Sequence, residues 1–165
     1  MHEQTFDDVY RKLARPLLKY IARVTGDGSL AEDLLQKAFF RLLEASPPPM
    51  DERQMKNYVF KIATNLIADH WRGAQRFQRL LGLAESIQPH AIDDDLRVDV
   101  RAVFGRMKPQ ERSLLWLAYV EGSSHAEIAD ILGLQEKSIK VLLFRARHRL
   151  AAALEAKGLT AEAFA

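Results

Sequence analysis

The chain has 165 residues, of which 48% are hydrophobic and 28% charged, and its formal net charge is +2. This balance predicts a chain that buries a core and argues against wholesale intrinsic disorder. The absence of cysteine excludes disulfides, thiolate metal sites and cysteine nucleophiles.

The pattern of apolar residues predicts three helices in the first half of the chain, over residues 10–24, 30–43 and 55–71. The run 26–28 (GDG) ends the first helix, and Ser29 is the predicted N-cap of the second, with Glu32 completing a capping box. The three prolines at 47–49 forbid helix and predict an extended loop.

Beyond Gly73 the helical pattern weakens, and a linker is predicted where Pro89 precedes three consecutive aspartates. No apolar run approaches the roughly 18 residues of a membrane span. The acidic, polar N-terminus does not resemble a signal peptide. We therefore expect no membrane insertion and a cytoplasmic location.

After the linker the helical pattern resumes over residues 98–107, and Pro109 is predicted in the first turn of the next helix. Residues 121–150 then read as a short apolar helix, a turn at Gly133 and a longer helix with cations towards its end. This layout is typical of a helix-turn-helix, whose second helix enters the DNA major groove. An ordinary helical hairpin with solvated arginines fits the same stretch.

The fold class expected from this pattern is all-α, with two small helical domains at 1–80 and 97–160. They are joined by a flexible acidic linker, 81–96, whose length and polarity predict no fixed orientation between the domains. Cations cluster at 53–79 and 137–149, and acids cluster between them at 85–99. This alternation indicates two polyanion-binding surfaces.

Three segments, in the expected order, resemble the extracytoplasmic-function (ECF) group of bacterial sigma-70 factors. Residues 31–42 (AEDLLQKAFFRL) are similar to the helix that docks on RNA polymerase. Residues 58–72 (YVFKIATNLIADHWR) are similar to the helix that melts the minus-10 element, and 107–150 to the minus-35 helix-turn-helix. The resemblance covers nearly the whole chain and implies a region 2-like bundle followed by a region 4-like domain.

The resemblance implies a set of minus-10 residues that recur at helical spacing on one face: Lys61, Asn65, Asp69, Arg72 and Arg76. On this reading Asn65 and Asp69 hydrogen-bond base edges, and the cations meet phosphates. Trp71 and Phe77 are candidates for stacking an extruded base, although each also fits core packing.

Two further surfaces follow from the same resemblance. The minus-35 contacts, mostly to the DNA backbone, are assigned to Lys137, Ser138, Lys140, Arg145 and Arg147. The polymerase contacts are assigned to Asp33, Gln36, Phe40 and Arg41. A solvated face of an amphipathic helix is the alternative for the last group.

The sequence also departs from the family at two places. Lys37 stands where the docking signature usually has an acid, which reverses a charge at the expected interface. Val141 and Leu142 stand in the recognition helix where polar side chains are usual, and neither can hydrogen-bond a base edge. Losing one bidentate base contact removes about 1–3 kcal/mol of discrimination, so this helix is expected to read the minus-35 element weakly, to read it in an unusual way, or to serve a protein partner instead.

The resemblance implies a sigma factor that binds RNA polymerase core, through its beta-prime and beta subunits, and directs promoter-specific transcription initiation. It implies promoter DNA and an anti-sigma factor as further partners, and no enzymatic activity of its own. The five histidines show no HExxH pattern, and we expect no metal and no cofactor. The alternative, favoured by Lys37, Val141 and Leu142, is a degenerate sigma-like protein that binds an anti-sigma factor or polymerase without initiating transcription.

Overall fold

A computed structural model describes residues 3–82 and 95–159, with side chains from 5–82 and 100–159. Within these ranges every regular element is a helix, as predicted. The elements are α1 (Glu3–Thr25), α2 (Gly28–Ala45), α3 (Glu52–Leu80), α4 (Asp95–Arg106), α5 (Pro109–Tyr119), α6 (His125–Leu132) and α7 (Glu136–Ala156). Most of the predicted linker 81–96, including Asp93 and Asp94, lies outside the described residues, so the domain boundaries remain a prediction.

Helices α1, α2 and α3 pack against one another as a three-helix bundle. Its centre is apolar, with Leu17, Leu42 and Val59 fully buried. Tyr20 is also fully buried, and its hydroxyl lies 2.8 Å from Oγ1 of Thr64. Burial raises the pKa of Tyr20, which keeps the phenol protonated and able to donate this hydrogen bond.

The N-cap predicted at Ser29 is wrong. Helix α2 begins at Gly28, and its N-cap is Asp27, whose side chain accepts a hydrogen bond of 3.1 Å from the backbone N–H of Leu30. Asp27 has the extended backbone of an N-cap, and its carboxylate satisfies one of the free N–H groups of the first turn.

Helix α3 extends further than the hydrophobic pattern predicted. It continues without a break through Gly73 to Leu80, although the apolar spacing stops near Trp71. The last turns contact little of the core, and side chains such as Arg72, Arg76 and Phe77 are exposed. Good helix formers sustain this extension without a buried face, which is why periodicity did not reveal it.

Helices α4 to α7 form the second group, and within it α6 and α7 are the predicted helix-turn-helix. Pro109 begins α5, as expected for the first helical position. A capping box between Ser124 and Glu127 begins α6, and Gly133 ends it with a left-handed backbone (φ 66°). The turn therefore has the glycine stop that the sequence predicted.

The two groups of helices contact each other, α3 against α6 and α1 against α5. Their buried side chains belong to one continuous apolar cluster. This differs from the expectation of domains without a fixed orientation. The physical reasons are this shared apolar cluster and a row of carboxylates on the second group that lies opposite cations on α3, described below.

Substitutions at two glycines test two different effects on stability, the strain of a left-handed backbone at Gly133 and helix propensity at Gly73. At Gly133 an added Cβ meets no atom within 4 Å, so Gly133→Ala costs only the left-handed strain. We expect the free energy of unfolding to fall by about 1–2 kcal/mol.

At Gly73, inside α3, an added Cβ also meets no atom within 4 Å. Gly73→Ala should instead raise the free energy of unfolding by about 0.5–1 kcal/mol. Urea titrations measure both; a stabilising Gly133→Ala would contradict the assigned turn.

Candidate nucleic-acid and polymerase interfaces

The five predicted minus-10 residues lie on one face of α3. At 3.6 residues per turn they fall within an arc of about 80°. Asn65, Asp69, Arg72 and Arg76 are exposed, and Lys61 is half-buried. The structure therefore brings together an amide, a carboxylate and three cations on one accessible stripe, which we call the α3 face.

Asp69 and Arg72 are paired with each other across one turn of the α3 face. The side chain of Asp69 is 50% exposed and that of Arg72 is 62% exposed. The pair holds the guanidinium on the stripe while leaving donors free for a phosphate. Asp69 is therefore placed to orient Arg72 as well as to accept a hydrogen bond from a base.

A cleft of about 620 Å³ opens beside the α3 face. Lys61 and Asn65 line it, together with residues that the sequence analysis missed: Pro48, Pro49, Met50, Gln54, Asn57, Tyr58, Ile62 and Asp130. The proline-rich loop forms one wall and α3 the other. The signal was the proline run that ends two residues before the Asp51 cap, which brings this loop to the start of α3.

The two stacking candidates differ in their surroundings. Trp71 is half-buried and packs against the core, and the guanidinium carbon of Arg112 lies 5.5 Å from the centre of its ring. Phe77 is 62% exposed near the end of α3. Of the two candidates, Phe77 presents the more exposed ring, while Tyr58 contributes an aromatic ring to the cleft.

On α7 the predicted minus-35 residues differ in their burial and hydrogen bonding. Lys137, Lys140 and Arg145 are exposed, and Ser138 is half-buried. Arg147 is directed towards α5, where it donates a hydrogen bond of 2.7 Å to the hydroxyl of Tyr119. Arg147 is nevertheless exposed, so all four cations of this set remain accessible.

The two unusual recognition-helix residues also separate. Val141 is 49% exposed and lies on the outward face between the side chains of Lys137 and Phe144. Leu142 is half-buried and packs against the core. Leu142 thus has a structural role, and of these two residues it is Val141 that places an apolar group where DNA is expected.

The predicted polymerase residues Asp33, Gln36, Phe40 and Arg41 are all exposed on one side of α2. Phe40 is 61% exposed, an unusual state for a large apolar ring on a monomer surface. Lys37, the charge that departs from the family, lies 3.1 Å from the carboxylate of Asp33. This ion pair partly neutralises the charge of Asp33, and it places the cation of Lys37 about one helical turn from Phe40.

A set of ion pairs between α3 and the α6 region was not predicted. Arg53 and Asn57 both donate to the carboxylate of Glu127, Asn57 at 2.7 Å. Lys56 lies 2.8 Å from the carboxylate of Glu121, and Lys61 lies 3.0 Å from that of Asp130. We call Glu121, Glu127 and Asp130 the α6 carboxylates.

The Glu127 carboxylate is stabilised in its charged form. Hydrogen bonds from Arg53, the largest effect, and from Ser124 and Asn57 hold its pKa well below its usual range. Because the pKa is lower in the folded chain, this contact stabilises the fold above the ordinary pKa of glutamate. Its contribution falls as the pH drops towards the lowered value.

In the part of the chain that the structure describes, His, Asp and Glu side chains form no group able to hold a metal ion. Among the same residues, none of the helices combines the length and apolarity needed to cross a membrane.

Comparisons with known proteins cover both groups of helices. The family model of sigma-70 region 2 matches residues 9–77, and that of sigma-70 region 4 matches residues 97–150. The sigma factor SigZ of Bacillus subtilis is 26% identical over 90% of this chain and 86% of its own. The ECF sigma factor SigL of Mycobacterium tuberculosis is 29% identical over 92% of this chain and 90% of its own.

A solved structure shows the same fold. The sigma factor RpoE of Bartonella quintana, in complex with the anti-sigma factor NepR, superposes with a TM-score of 0.76. It covers 92% of this chain and 98% of RpoE, at 22% identity. Both region models match in order, and full-length relatives are ECF sigma factors, so the chain belongs to the ECF group of the sigma-70 family of RNA polymerase sigma factors.

Proposed function

We propose that this sigma factor directs RNA polymerase core to promoters by dividing the work between residues 1–80 and 97–160. The first part docks on the polymerase and opens the minus-10 element, and the second binds the minus-35 duplex; 81–96 connects them. Catalysis belongs to the polymerase, and the chain acts with it in the cytoplasm. The α3 face is the observation that carries this proposal.

The α3 face is suited to unpaired DNA. Cations at Arg72 and Arg76 meet phosphates, while Asn65 presents donors and acceptors at the edge of the cleft. The cleft offers an apolar and aromatic wall at Tyr58 for a base that leaves the stack. Lys61 belongs to the same stripe, so phosphates entering the cleft would compete for it with Asp130.

The outward face of α7 is proposed to bind the minus-35 duplex mainly through its backbone. Lys137, Lys140 and Arg145 supply the charge. Val141 at the centre of this face selects by contact with a thymine methyl group, because it has no hydrogen-bonding atom in its side chain. Ser138 is half-buried and Arg147 is exposed but hydrogen-bonded to Tyr119, so both are assigned supporting roles at the edges of this contact.

Polymerase docking is proposed for the exposed side of α2. Phe40 is the apolar anchor, and Asp33, Gln36 and Arg41 form the polar surroundings. An anti-sigma factor is proposed as a regulatory partner. In one structure of similar fold the sigma factor RpoE is bound to the anti-sigma factor NepR, and in another CnrH is bound to the cytosolic domain of CnrY.

The experiment is transcription in vitro with purified chain, bacterial core polymerase and a library of genomic fragments, followed by mapping of transcript 5′ ends. We expect discrete start sites that share an upstream motif and that disappear when the chain is omitted. Tight binding to core without any transcript would favour the alternative of a sigma-like decoy, which the Lys37–Asp33 pair and Val141 motivate.

A further inference from the structure

The charged side chains beside Phe40 on α2 form a compact group. Asp33, Lys37, Arg41 and Glu44 are all exposed, and at 3.6 residues per turn they fall within an arc of about 80° that borders Phe40. Two are acids and two are cations, so their formal charges cancel. Among the described residues, the ion pair within this group joins Lys37 to Asp33 at 3.1 Å, and Arg41 has no carboxylate partner.

The sign of the charge at position 37 has little effect on the stability of α2 itself. Lys37 attracts Asp33, four residues before it, and repels Arg41, four residues after it. A glutamate at 37 would repel Asp33 and attract Arg41 by amounts of similar size. Helix stability therefore favours neither charge, and the effect of Lys37 lies in what this side of α2 presents to a partner.

Lys37 changes the charge that the docking side of α2 presents. With the acid that is usual in the family at this position, the group would hold three carboxylates and one cation. Carboxylates one helical turn apart, beside an exposed aromatic ring, are complementary to a cationic surface. We therefore expect the polymerase surface that receives α2 to present a cation near position 37. Lys37 meets that cation with a charge of the same sign.

We propose that Lys37 attenuates docking: it lowers the affinity of this chain for RNA polymerase core and so sets the concentration of chain at which core becomes occupied. The proposal rests on docking through α2, as proposed above. Two effects act in the same direction. The ammonium group of Lys37 repels the cation of the core, and it already occupies the carboxylate of Asp33, which must give up or share that ion pair to contact core.

The attenuation is moderate in size because the charges involved are accessible to water. The side chains of Lys37 and Asp33 are 59% and 57% exposed, and such pairs are weak and screened by salt. Phe40 remains exposed and keeps its role as the apolar anchor. Docking is therefore weakened and not abolished, and the concentration of chain that half-occupies core rises in proportion to the dissociation constant.

The test is the variant Lys37→Glu, with core affinity measured by fluorescence titration of labelled chain with bacterial core polymerase. We expect the dissociation constant to fall by about 10-fold, since a repulsive contact is replaced by an attractive one. Lys37→Gln removes the repulsion only and should give an intermediate value. Position 37 is exposed and both replacements are good helix formers, so the fold is preserved. An unchanged or larger dissociation constant for Lys37→Glu overturns the proposal.

The matched control is Lys157→Glu, which makes the same change of charge at the end of α7. Lys157 is exposed and lies outside the surfaces assigned to polymerase and DNA. Its replacement should leave core affinity unchanged. Equal gains from Lys157→Glu and Lys37→Glu would reflect the net charge of the chain and would overturn a specific role for Lys37.

Salt dependence distinguishes an effect of charge from an effect of packing. We expect the difference in affinity between Lys37→Glu and the unmodified chain to shrink as salt rises above about 0.1 M, because the screening length then falls below about 10 Å. A difference that persists undiminished at higher salt would assign the gain to packing and would overturn the proposal.

Phe40→Ala in the same titration separates failure of this proposal from failure of the proposed function. If Phe40→Ala leaves core affinity unchanged, docking through α2 is wrong, and attenuation by Lys37 is overturned with it. If Phe40→Ala weakens binding while Lys37→Glu fails to strengthen it, docking through α2 stands and attenuation alone is overturned.

Discussion

Replacing Phe40 with alanine is expected to weaken binding to RNA polymerase core by about 30-fold or more, the scale of an aromatic hot spot at the centre of an interface. Phe40 is 61% exposed, so its truncation removes almost nothing from the core of the bundle. The free energy of unfolding should therefore change little. Core binding is measured by fluorescence titration of labelled chain with polymerase.

The matched control for this substitution is Phe77→Ala. Phe77 is 62% exposed, like Phe40, but it lies near the end of α3 and away from α2. It should leave core affinity nearly unchanged, whatever its effect on DNA. Equal losses from the two variants would show that exposed phenylalanines act nonspecifically and would contradict docking through α2.

Replacing Asn65 with alanine is expected to reduce transcription from the mapped promoters while core binding is retained. Asn65 is exposed on the α3 face and lines the cleft, so its truncation removes donors and acceptors without affecting the fold. A lost base-edge contact removes about 1–3 kcal/mol, which corresponds to a roughly 5- to 150-fold loss. Single-round transcription from a mapped promoter measures it.

His70→Ala is the control for Asn65→Ala. His70 is also polar and exposed on α3, but it points more than about a quarter-turn away from the α3 face. We expect transcription close to that of the unmodified chain. Similar losses of transcription from His70→Ala and Asn65→Ala would mean that transcription is sensitive to substitution anywhere on α3, and the assignment of the α3 face would then be wrong.

Much of the fold follows from local rules that the sequence displays openly. The apolar spacing predicted the helices, Pro109 the start of α5, and Gly133 the end of α6 with its left-handed backbone. The cap of α2 was misplaced because Asp27 and Ser29 are both good N-caps only two residues apart. Which of them caps depends on where the chain leaves α1, and local sequence does not determine that.

The α3 face could be predicted because its residues recur at helical spacing within one element. The cleft beside it could not, since its second wall comes from the proline-rich loop and its rim from α6. The contact between Arg53 and Glu127 joins residues far apart in sequence. Complementary charges so far apart in sequence leave no periodic signal. The sequence therefore predicted domains without a fixed orientation, whereas the two groups of helices pack against each other.

The most direct test of the central claim, that this chain opens promoter DNA, is permanganate probing of unpaired thymines at a mapped promoter. We predict reactive thymines just upstream of the start site only when the chain and core polymerase are both present, with neither alone sufficient. Duplex DNA that stays unreactive while the chain, the core and the promoter form a stable complex would contradict the account.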